Sequence, residues 1–266
     1  MLDRFNRKIN YLRISVTDRC NLRCRYCMPD NDPRMLSHED ILRFEEIQQV
    51  VAVAASLGIS KVRLTGGEPL VRKDITGLVS MIASVPGVED LSMTTNAVLL
   101  DRFAIPLKEA GLQRINVSLD TVDPDKFREI TRGGDLRRIF QGIKAAKTAG
   151  LHPIKINCVV KKGAERKDAE EVAAYCEKNG LEIRYIQQMD LEKGDFAVVE
   201  GGTGGDCAQC NRLRLTSDGK IKPCLFSDLA YDIRELGIQP ALEMALGNKP
   251  EKGSVNQQNL FHNIGG

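Results

Sequence analysis

The sequence has no long apolar run, no apolar leader and almost no net charge. Residues 1–8 are mostly polar or charged, and no apolar stretch approaches the length of a membrane span. The 38 Lys and Arg residues nearly balance the 36 Asp and Glu residues, which leaves a formal charge of +2. These absences give no support to secretion, to membrane insertion or to non-specific nucleic-acid binding as the main activity. We therefore expect a cytoplasmic protein with no membrane or nucleic-acid partner.

The chain is long enough to bury a sizeable core, since it has 266 residues, of which 42% are hydrophobic. It contains eight cysteines, which in a reducing compartment indicate metal ligands and buried thiols rather than disulfides. Cys158 lies in an apolar, strand-like run and Cys176 in a helical stretch, so we expect both to pack in the core. The other six cysteines form two groups of three.

The first trio occupies one short loop, Cys20-Asn21-Leu22-Arg23-Cys24-Arg25-Tyr26-Cys27, with the spacing C-x3-C-x2-C. Three thiolates on one loop can bind three irons of a 4Fe-4S cluster and leave the fourth iron open to a small molecule. A structural zinc ion needs a fourth ligand that this loop lacks, and a disulfide needs an oxidising compartment. The spacing therefore favours a cluster.

The second trio follows a glycine-rich stretch and has the spacing C-x2-C-x13-C, from Cys207 and Cys210 to Cys224. Residues 213–216 and 221–222 flank the turn Ser217-Asp218-Gly219, which predicts a β-hairpin that returns Cys224 to the first pair. By ligand count a zinc ion, with His262 or water as the fourth ligand, and a 4Fe-4S cluster are equally good occupants. The presence of the first trio favours a second cluster.

Short apolar runs alternate with helical patterns as far as residue 188. Strands are predicted at 11–16, 61–65, 90–94, 114–119, 154–160 and 182–187, with helices such as 44–57 and 136–148 between them. Strands joined by helix-length segments form parallel βαβ units. We therefore predict an α/β fold, a partial (β/α)6 barrel, with a core domain over 1–190 and a small C-terminal region over 191–266 that carries the second trio.

Several of these strands alternate between apolar and polar residues, although parallel strands between helices are usually apolar on both faces. The polar positions are Arg13, Ser15, Lys61, Arg63, Thr65, Asn116, Ser118, Asp120, Lys155, Asn157 and Arg184. This alternation indicates a barrel lumen that holds a polar ligand, and its basic side chains suit an anion such as a phosphate ester. The alternative is an antiparallel sheet with one face in solvent, but the helix-length connections make it the weaker interpretation.

Polar loops follow the predicted strands, at the ends where β/α barrels place their active sites. The loop Thr65-Gly66-Gly67-Glu68-Pro69 would let backbone approach a ligand closely, and Glu68 could accept a hydrogen bond from an ammonium group. Thr94 and Ser118 are weaker candidates of the same kind. Arg212 and Arg214 should share one face of the predicted hairpin, directed either to an anionic substrate or to solvent.

The loop with Cys20, Cys24, Tyr26 and Cys27 resembles the signature of the radical S-adenosylmethionine (SAM) enzymes, whose open cluster iron binds SAM. Both trios, the loop at 65–69 and the end Asn263-Ile264-Gly265-Gly266 occur together in one family of these enzymes, the GTP 3′,8-cyclases of molybdenum cofactor biosynthesis (MoaA). The run from Cys207 to Gly219 is the most specific part of the likeness. The resemblance extends from the first strand to the last residue.

This resemblance implies two 4Fe-4S clusters, on Cys20, Cys24 and Cys27 and on Cys207, Cys210 and Cys224. Positions that match SAM contacts are Tyr26, Gly67, Ser118 and Met189, to which we add Glu68. Positions that match GTP contacts are Arg13, Arg63, Thr94, Lys155, Arg212 and Arg214, with Lys61 and Arg184 as further positive charge.

The activity implied by the family is that of a lyase with no catalytic side chain of its own. A 5′-deoxyadenosyl radical removes hydrogen from C3′ of GTP, and the product is (8S)-3′,8-cyclo-7,8-dihydroguanosine 5′-triphosphate, a precursor of molybdenum or tungsten cofactor. The implied partners are GTP, an electron-donor protein and, downstream, cyclic pyranopterin synthase. A homodimer is an option that the sequence leaves open.

One segment departs from the family. The segment before the second trio, residues 189–206, is much shorter than the corresponding segment usually is in the family. This shortening keeps one alternative open, and a second alternative of a different class is kept beside it. One is a radical SAM enzyme with an auxiliary cluster that acts on another nucleotide or a peptide. The other is a metal-binding or redox scaffold without catalysis.

Overall fold

The computed structural model of the chain describes residues 1–28, 35–161, 163, 166–258 and 264. Its strands are β1 (Tyr11–Ser15), β2 (Lys61–Thr65), β3 (Asp90–Thr95), β4 (Arg114–Ser118), β5 (Ile154–Val160), β6 (Glu182–Gln187), β7 (Arg212–Leu215), β8 (Lys220–Lys222) and β9 (Tyr231–Asp232). Its helices are α1 (Phe44–Ser56), α2 (Ile75–Ala83), α3 (Leu100–Glu109), α4 (Pro124–Thr131), α5 (Leu136–Thr148), α6 (Lys167–Asn179), α7 (Ile233–Leu236) and α8 (Ile238–Gly247), with a 3-10 turn at Pro69–Val71. The six predicted strands are confirmed to within one residue at either end.

The strands form one sheet in the order β6-β5-β4-β3-β2-β1-β7-β8-β9. The six strands from β1 to β6 run parallel, and a helix lies between each pair along the chain. Among the described residues β6 and β9 are the edges of an open sheet. The predicted partial barrel is therefore confirmed.

The apolar residues of each strand face the helices and form the core. On β1, Leu12 and Ile14 are fully buried, and on α1 the positions Ile47, Val50 and Ala54 are buried at the spacing of one helix face. Each of the larger side chains among them, such as Leu12 or Ile47, stabilises the fold by roughly 1.5–3 kcal/mol on burial. The parallel pairing overturns the antiparallel alternative, because both faces of these strands are covered by protein or by the barrel interior.

The two single cysteines pack as expected, since Cys158 is 0% and Cys176 is 2% exposed within the core. Gly58 follows α1 with φ +101, a left-handed backbone angle that favours glycine where the helix ends. No helix among the described segments is both long and apolar enough to cross a membrane.

The C-terminal hairpin is confirmed, and it extends the main sheet. β7 and β8 pair in the antiparallel sense, while β7 also pairs in parallel with β1, so that Arg214 lies beside Arg13 and Arg212 beside Tyr11. Helix α8 packs against α1 on the outer side. The region that carries the second trio is therefore hydrogen-bonded directly to the first strand.

Candidate active site

A cavity of about 520 Å³ lies inside the barrel, in the size range of small-molecule sites. We call it the basic cavity, because nine cationic side chains line it: Arg13, Lys61, Arg63, Arg114, Lys155, Arg184, Arg212, Arg214 and Lys249. Two carboxylates, Asp90 and Asp206, and all three cysteines of the second trio also line it. This excess of positive charge suits a polyanion.

The structure brings most of the predicted substrate residues into this cavity. Seven of the eight line it, and Met189, which was assigned to SAM, lines it as well. Thr94 is outside the described lining but lies on the inner face of β3, in register with Asn116 on β4. Sequence reasoning missed Arg114 and Lys249, although Arg114 has the same strand parity as Asn116 and could have been found from it.

Strand register concentrates the positive charge at one level of the barrel. Arg13 on β1 lies between Arg63 on β2 and Arg214 on β7. Burial, and next the charge of Arg214, lower the pKa of Arg13 well below its usual range, and burial lowers the pKa of Arg214 to about 10. Three neighbouring guanidinium groups repel one another, so a bound anion would stabilise this arrangement.

Several cationic groups of the cavity have partners within the protein. Arg114 forms an ion pair with Asp90, with 2.8 Å between its Nε and the carboxylate Oδ1, and Lys155 pairs with Glu182. Arg63 lies over the ring of Tyr11, 5.5 Å from its centroid, and donates to Ser92 Oγ at 3.2 Å. These contacts hold the long side chains in place before any ligand binds.

The first trio lies on the loop that leaves the C-terminal end of β1. The backbone N–H groups of Cys27 and Met28 both donate to the carbonyl of Cys24, at 3.0 and 2.9 Å, which folds the loop into a tight turn. Burial raises the pKa of Cys20 to about 11 and the pKa values of Cys24 and Cys27 to about 12. The thiols must therefore lose protons when they bind metal.

The two glycines after β2 are required by the protein itself. A methyl group on Gly67 would lie 2.3 Å from the carbonyl oxygen of Arg19, and one on Gly66 would lie 2.6 Å from that of Thr17. The Gly67 N–H donates to Thr17 O at 2.7 Å. The loop at 65–69 thus packs on the segment that leads into the first trio, a role that the sequence did not indicate.

Glu68 lies buried in this loop with its carboxylate hydrogen-bonded. Its oxygens accept from Thr95 Oγ1 at 2.7 Å, from the Asn96 N–H at 2.6 Å and from the Leu70 N–H at 3.0 Å. Burial nevertheless raises the pKa of Glu68 to about 7. A carboxylate with no cationic partner in the described protein can still accept a hydrogen bond from a ligand ammonium group.

Tyr26 links the first trio to the end of β4. Its hydroxyl donates to Asp120 Oδ2 at 2.7 Å, and the Val159 N–H donates to the other oxygen of Asp120 at 2.8 Å. Burial raises the pKa of Asp120 to about 6 and that of Tyr26 well above its usual range. Ser118, two residues earlier, pairs in register with Asn157.

The second trio lies at the opposite end of the barrel. Cys210 precedes β7, which runs parallel to β1, whereas Cys20 follows β1. One strand length of about 15 Å therefore separates the two ends, and the basic cavity lies along it. Cys224 follows β8, which is antiparallel to β7, so it returns to Cys210 as the hairpin predicted.

A buried lysine holds the second trio together. Lys249 is 1% exposed, and its Nζ donates to Arg212 O at 2.8 Å and to Pro223 O at 2.6 Å, which are backbone groups next to Cys210 and Cys224. Burial raises the pKa of Cys210, but the charges of Lys249 and Arg212 and the hydrogen bonds from these two residues together lower it below its usual value.

Arg7 anchors the same region to the N-terminus. Its guanidinium donates to the carbonyls of Cys207, Pro250 and Glu251 at 2.7–2.9 Å, and its Nε pairs with Asp3. Contacts from the hairpin, the C-terminal segment and the N-terminal segment thus hold the second trio in place.

Each trio offers three thiol groups, the number that binds three irons of a 4Fe-4S cluster and one fewer than a structural zinc ion needs. Across the described residues, no three His, Cys, Asp or Glu side chains converge as one metal ion requires. In a cubane each thiolate binds a different iron, so the ligands stand further apart than around zinc. His262 and the terminal Gly265 and Gly266 lie outside the described residues, whereas Ile264 is buried against Leu225 and Phe226, beside Cys224.

Two family models match the chain in succession. The model of the radical SAM superfamily matches residues 14–176, and that of Molybdenum Cofactor Synthesis C matches residues 155–254. The first covers β1 to α6 with the first trio, and the second covers β5 to α8 with the second trio.

Curated relatives are similar over nearly the whole chain. The GTP 3′,8-cyclase of Moorella thermoacetica is 44% identical over 280 residues, covering 88% of this chain and 86% of the relative. That of Petrotoga mobilis is 38% identical over 313 residues, covering 98% and 97%. Since 313 aligned positions exceed the 266 residues of this chain, it lacks at least 47 residues present in that relative.

Solved structures share the fold at low sequence identity. Streptococcus suis SuiB bound to S-adenosylmethionine has a TM-score of 0.69 at 16% identity, covering 91% of this chain and 66% of that one. The anSMEcpe structure with bound AdoMet has a TM-score of 0.64 at 15% identity, covering 91% and 81%.

The chain is 38–44% identical in sequence to these curated relatives but only 15–16% identical to these solved structures. The solved structures therefore show its fold, whereas the relatives show its family. Membership of the superfamily implies a 4Fe-4S cluster and SAM as cofactors. The chain belongs to the radical SAM superfamily and, within it, to the family of the GTP 3′,8-cyclases.

Proposed function

We propose that this protein binds GTP in the basic cavity and converts it to (8S)-3′,8-cyclo-7,8-dihydroguanosine 5′-triphosphate for molybdenum cofactor biosynthesis. The observation that carries this proposal is a cavity that is lined by nine cationic side chains and by the second trio, in a chain of this family whose barrel carries the first trio at its other end. A nucleoside triphosphate has the negative charge that such a cavity needs. The two ends of the barrel would supply different chemistry, because each end carries its own cysteine trio.

The first trio, Cys20, Cys24 and Cys27, would hold the SAM cluster. Cluster and SAM together supply a carbon-centred radical that removes a hydrogen atom from C3′ of the ribose, with one electron and one proton needed to complete the cyclised product. The carboxylate of Glu68 would accept from the SAM ammonium group, and Tyr26, Gly67, Ser118 and Met189 would contact SAM. The protein contributes binding, orientation and exclusion of water.

The second trio, Cys207, Cys210 and Cys224, would hold an auxiliary 4Fe-4S cluster whose open iron faces the purine base. Support comes from the lining of the cavity by all three cysteines and from the cations around them. A zinc ion would need a fourth ligand, and no described His, Asp or Glu converges there with the cysteines.

The triphosphate would lie against the level of Arg13, Arg63 and Arg214, with Arg184, Arg212, Lys61, Lys155 and Thr94 as further contacts. Arginine forks bind phosphate oxygens in pairs, which fixes both position and orientation. Electrons would come from a donor protein, and the product would pass to cyclic pyranopterin synthase.

The test is an anaerobic reaction of iron-reconstituted protein with SAM and a strong reductant, with and without GTP. We expect GTP to increase 5′-deoxyadenosine formation and a nucleotide isomeric with GTP to appear by mass. Cleavage of SAM without any effect of GTP would disprove the GTP assignment while leaving the radical chemistry intact.

A second candidate is a reaction on another nucleotide. It is favoured by the residues that this chain lacks relative to the Petrotoga mobilis relative, together with the position of residues 189–206, the segment that the sequence predicts to be shortened and that lines part of the cavity. The same assay with ATP, ITP and XTP tests it, since stimulation of SAM cleavage by one of these and not by GTP would establish the alternative.

A further inference from the structure

Asn116 carries a buried amide whose hydrogen bonds are unmet. The residue is 0% exposed on β4, and neither its Oδ1 nor its Nδ2 has a hydrogen-bond partner among the described residues. Buried side-chain amides in folded proteins are nearly always hydrogen-bonded, because burial without partners costs several kcal/mol. Such a group indicates a ligand or water that completes it.

Strand parity places the amide on the side of β4 that faces the barrel interior, directly behind the described lining of the basic cavity, which does not include Asn116 itself. Side chains alternate along β4, where Ile115 and Val117 belong to the apolar core and Arg114 lines the basic cavity. Asn116 therefore shares the inner face with Arg114. Its register partner on β5, Lys155, also lines the cavity, which confirms this orientation.

Along the barrel axis, Asn116 lies between the end that carries the second trio and the end that carries the first. Along β4, Arg114 is two residues nearer to the second trio and Ser118 two residues nearer to the first. Each step is about 6.6 Å. A nucleotide whose phosphates contact the arginine level and whose C3′ meets SAM must place its ribose near the level of Asn116.

The chemistry of the amide selects a hydroxyl. A phosphate oxygen needs donors, which the neighbouring guanidinium groups supply, and it would repel the amide oxygen. A ribose hydroxyl both donates and accepts, as the amide does. Thr94, in register with Asn116 on β3, has a buried Oγ1 that also lacks a partner in the described part of the chain. Two such groups side by side suit a vicinal diol.

We propose that the side chain of Asn116 binds the ribose hydroxyls of the nucleotide in the basic cavity and orients C3′ towards the SAM end of the barrel. This inference rests on the proposed function, because it requires a nucleotide in the cavity. It assigns a specificity-determining contact to a residue outside the cation set.

The first experiment measures thermal unfolding of the anaerobic, iron-reconstituted protein without nucleotide. Asn116→Leu keeps the number of side-chain atoms and removes both unmet polar atoms, so its unfolding temperature should rise. The matched control is Thr131→Val, since the buried Thr131 hydroxyl donates to Phe127 O at 2.6 Å and accepts from Gly134 N–H at 3.0 Å. Its loss should lower the unfolding temperature. A decrease for Asn116→Leu equal to that of the control would show that the amide serves the protein alone.

The second experiment measures dissociation constants of GTP, 2′-deoxy-GTP and 3′-deoxy-GTP for the wild type and Asn116→Ala. The wild type should bind at least one deoxy nucleotide roughly 3- to 10-fold more weakly than GTP, the ratio expected for one hydrogen bond. Asn116→Ala should weaken GTP and bind all three alike. Unchanged discrimination in the variant would overturn the inference even if Asn116→Leu failed to fold.

The third experiment separates the nucleotide from SAM. Asn116→Ala should still cleave SAM, but the ratio of cyclised product to 5′-deoxyadenosine should fall several-fold because the ribose is misoriented. Weaker SAM binding with unchanged GTP binding would assign the amide to the SAM ribose and overturn the inference. Wild-type protein that fails to bind GTP would instead overturn the proposed function.

Discussion

The first trio is surrounded by apolar side chains and carboxylates, whereas the second is surrounded by cations. Near the first, burial raises the pKa values of all three thiols, and Asp120 raises that of Cys24 further. Near the second, burial still raises the pKa of Cys224, but Lys249 and Arg214 oppose this, and Lys249 with Arg212 lowers the pKa of Cys210 despite its burial. A three-thiolate cluster carries net negative charge, so the two sites compensate it differently.

The comparison explains why the two ends of one barrel suit different ligands. The first end supplies no compensating cation among the groups that shift its thiol pKa values, so the cationic sulfonium and ammonium of SAM would complete it. The second end carries its own cations and opens onto the arginines, so it suits an anionic nucleotide. Four predictions test this difference.

The largest effect should come from removing one cysteine ligand from each trio in turn and comparing the two variants. Cys24→Ala should abolish SAM cleavage, because the cluster that binds SAM loses a ligand. Cys224→Ala should keep SAM cleavage and lose the cyclised product. Iron should fall from about 8 to about 4 per chain in each. Cys158→Ala, in the core, is the control and should retain all iron. Equal loss of SAM cleavage in both variants would refute separate roles for the trios.

Removal of the cation at the second trio should come next. Lys249→Met fills the volume but leaves two carbonyls and a thiolate without the ammonium, at a cost of about 3–5 kcal/mol. We expect loss of the second cluster, measured as iron content and as the electron paramagnetic resonance signal, with the first cluster retained. The control is Lys222→Met, since Lys222 is equally buried and also close to the charge of Cys224, but donates to Leu229 O and not to the carbonyls beside the trio. If both variants keep full iron, charge compensation by Lys249 is unimportant.

The stability of the folded protein should depend on pH through Glu68, at the end of the barrel that carries the first trio. The pKa of Glu68 is raised to about 7 in the folded chain, so the folded state holds this proton more tightly than the unfolded state does. Stability from this group is therefore present below about pH 4.5 and declines as the pH rises to about 7, by on the order of 3 kcal/mol. Glu68→Gln should remove this decline in denaturant titrations at pH 5 and 8. SAM should restore part of the stability of the wild type at pH 8. If the wild type and Glu68→Gln lose the same stability between pH 5 and pH 8, the assignment of this decline to Glu68 is wrong.

The smallest effect should be a gain at the cavity wall. Asp90→Asn removes the carboxylate that pairs with Arg114 and leaves its shape, so the cavity becomes more positive. GTP should bind a few-fold more tightly at low salt, and the gain should shrink at high salt because screening weakens exposed charges. The control is Asp135→Asn, since Asp135 pairs with Arg137 at the start of α5 and does not line the cavity. Weaker GTP binding by Asp90→Asn would mean that Arg114 needs Asp90 to hold its position.

Local patterns were enough to predict much of this protein. Alternation and helix spacing placed six strands and the parallel barrel, because period 2 and period 3.6 follow from backbone geometry alone. The same alternation predicted that Arg13, Arg63 and Lys155 face inwards, and they line one cavity. The cysteine spacings identified both trios.

Tertiary structure decided what lies between the trios. The parallel pairing of β7 with β1 places Arg214 beside Arg13 and sets the second trio at the opposite end from the first, and residues 200 positions apart leave no periodic signal of that pairing. Lys249 stands in a segment without a motif, and its role arises because Arg212 O and Pro223 O meet there. The sequence by itself therefore determined the elements and their chemical types, whereas only the packed chain decided which charges are neighbours, because that depends on which strand edges pair.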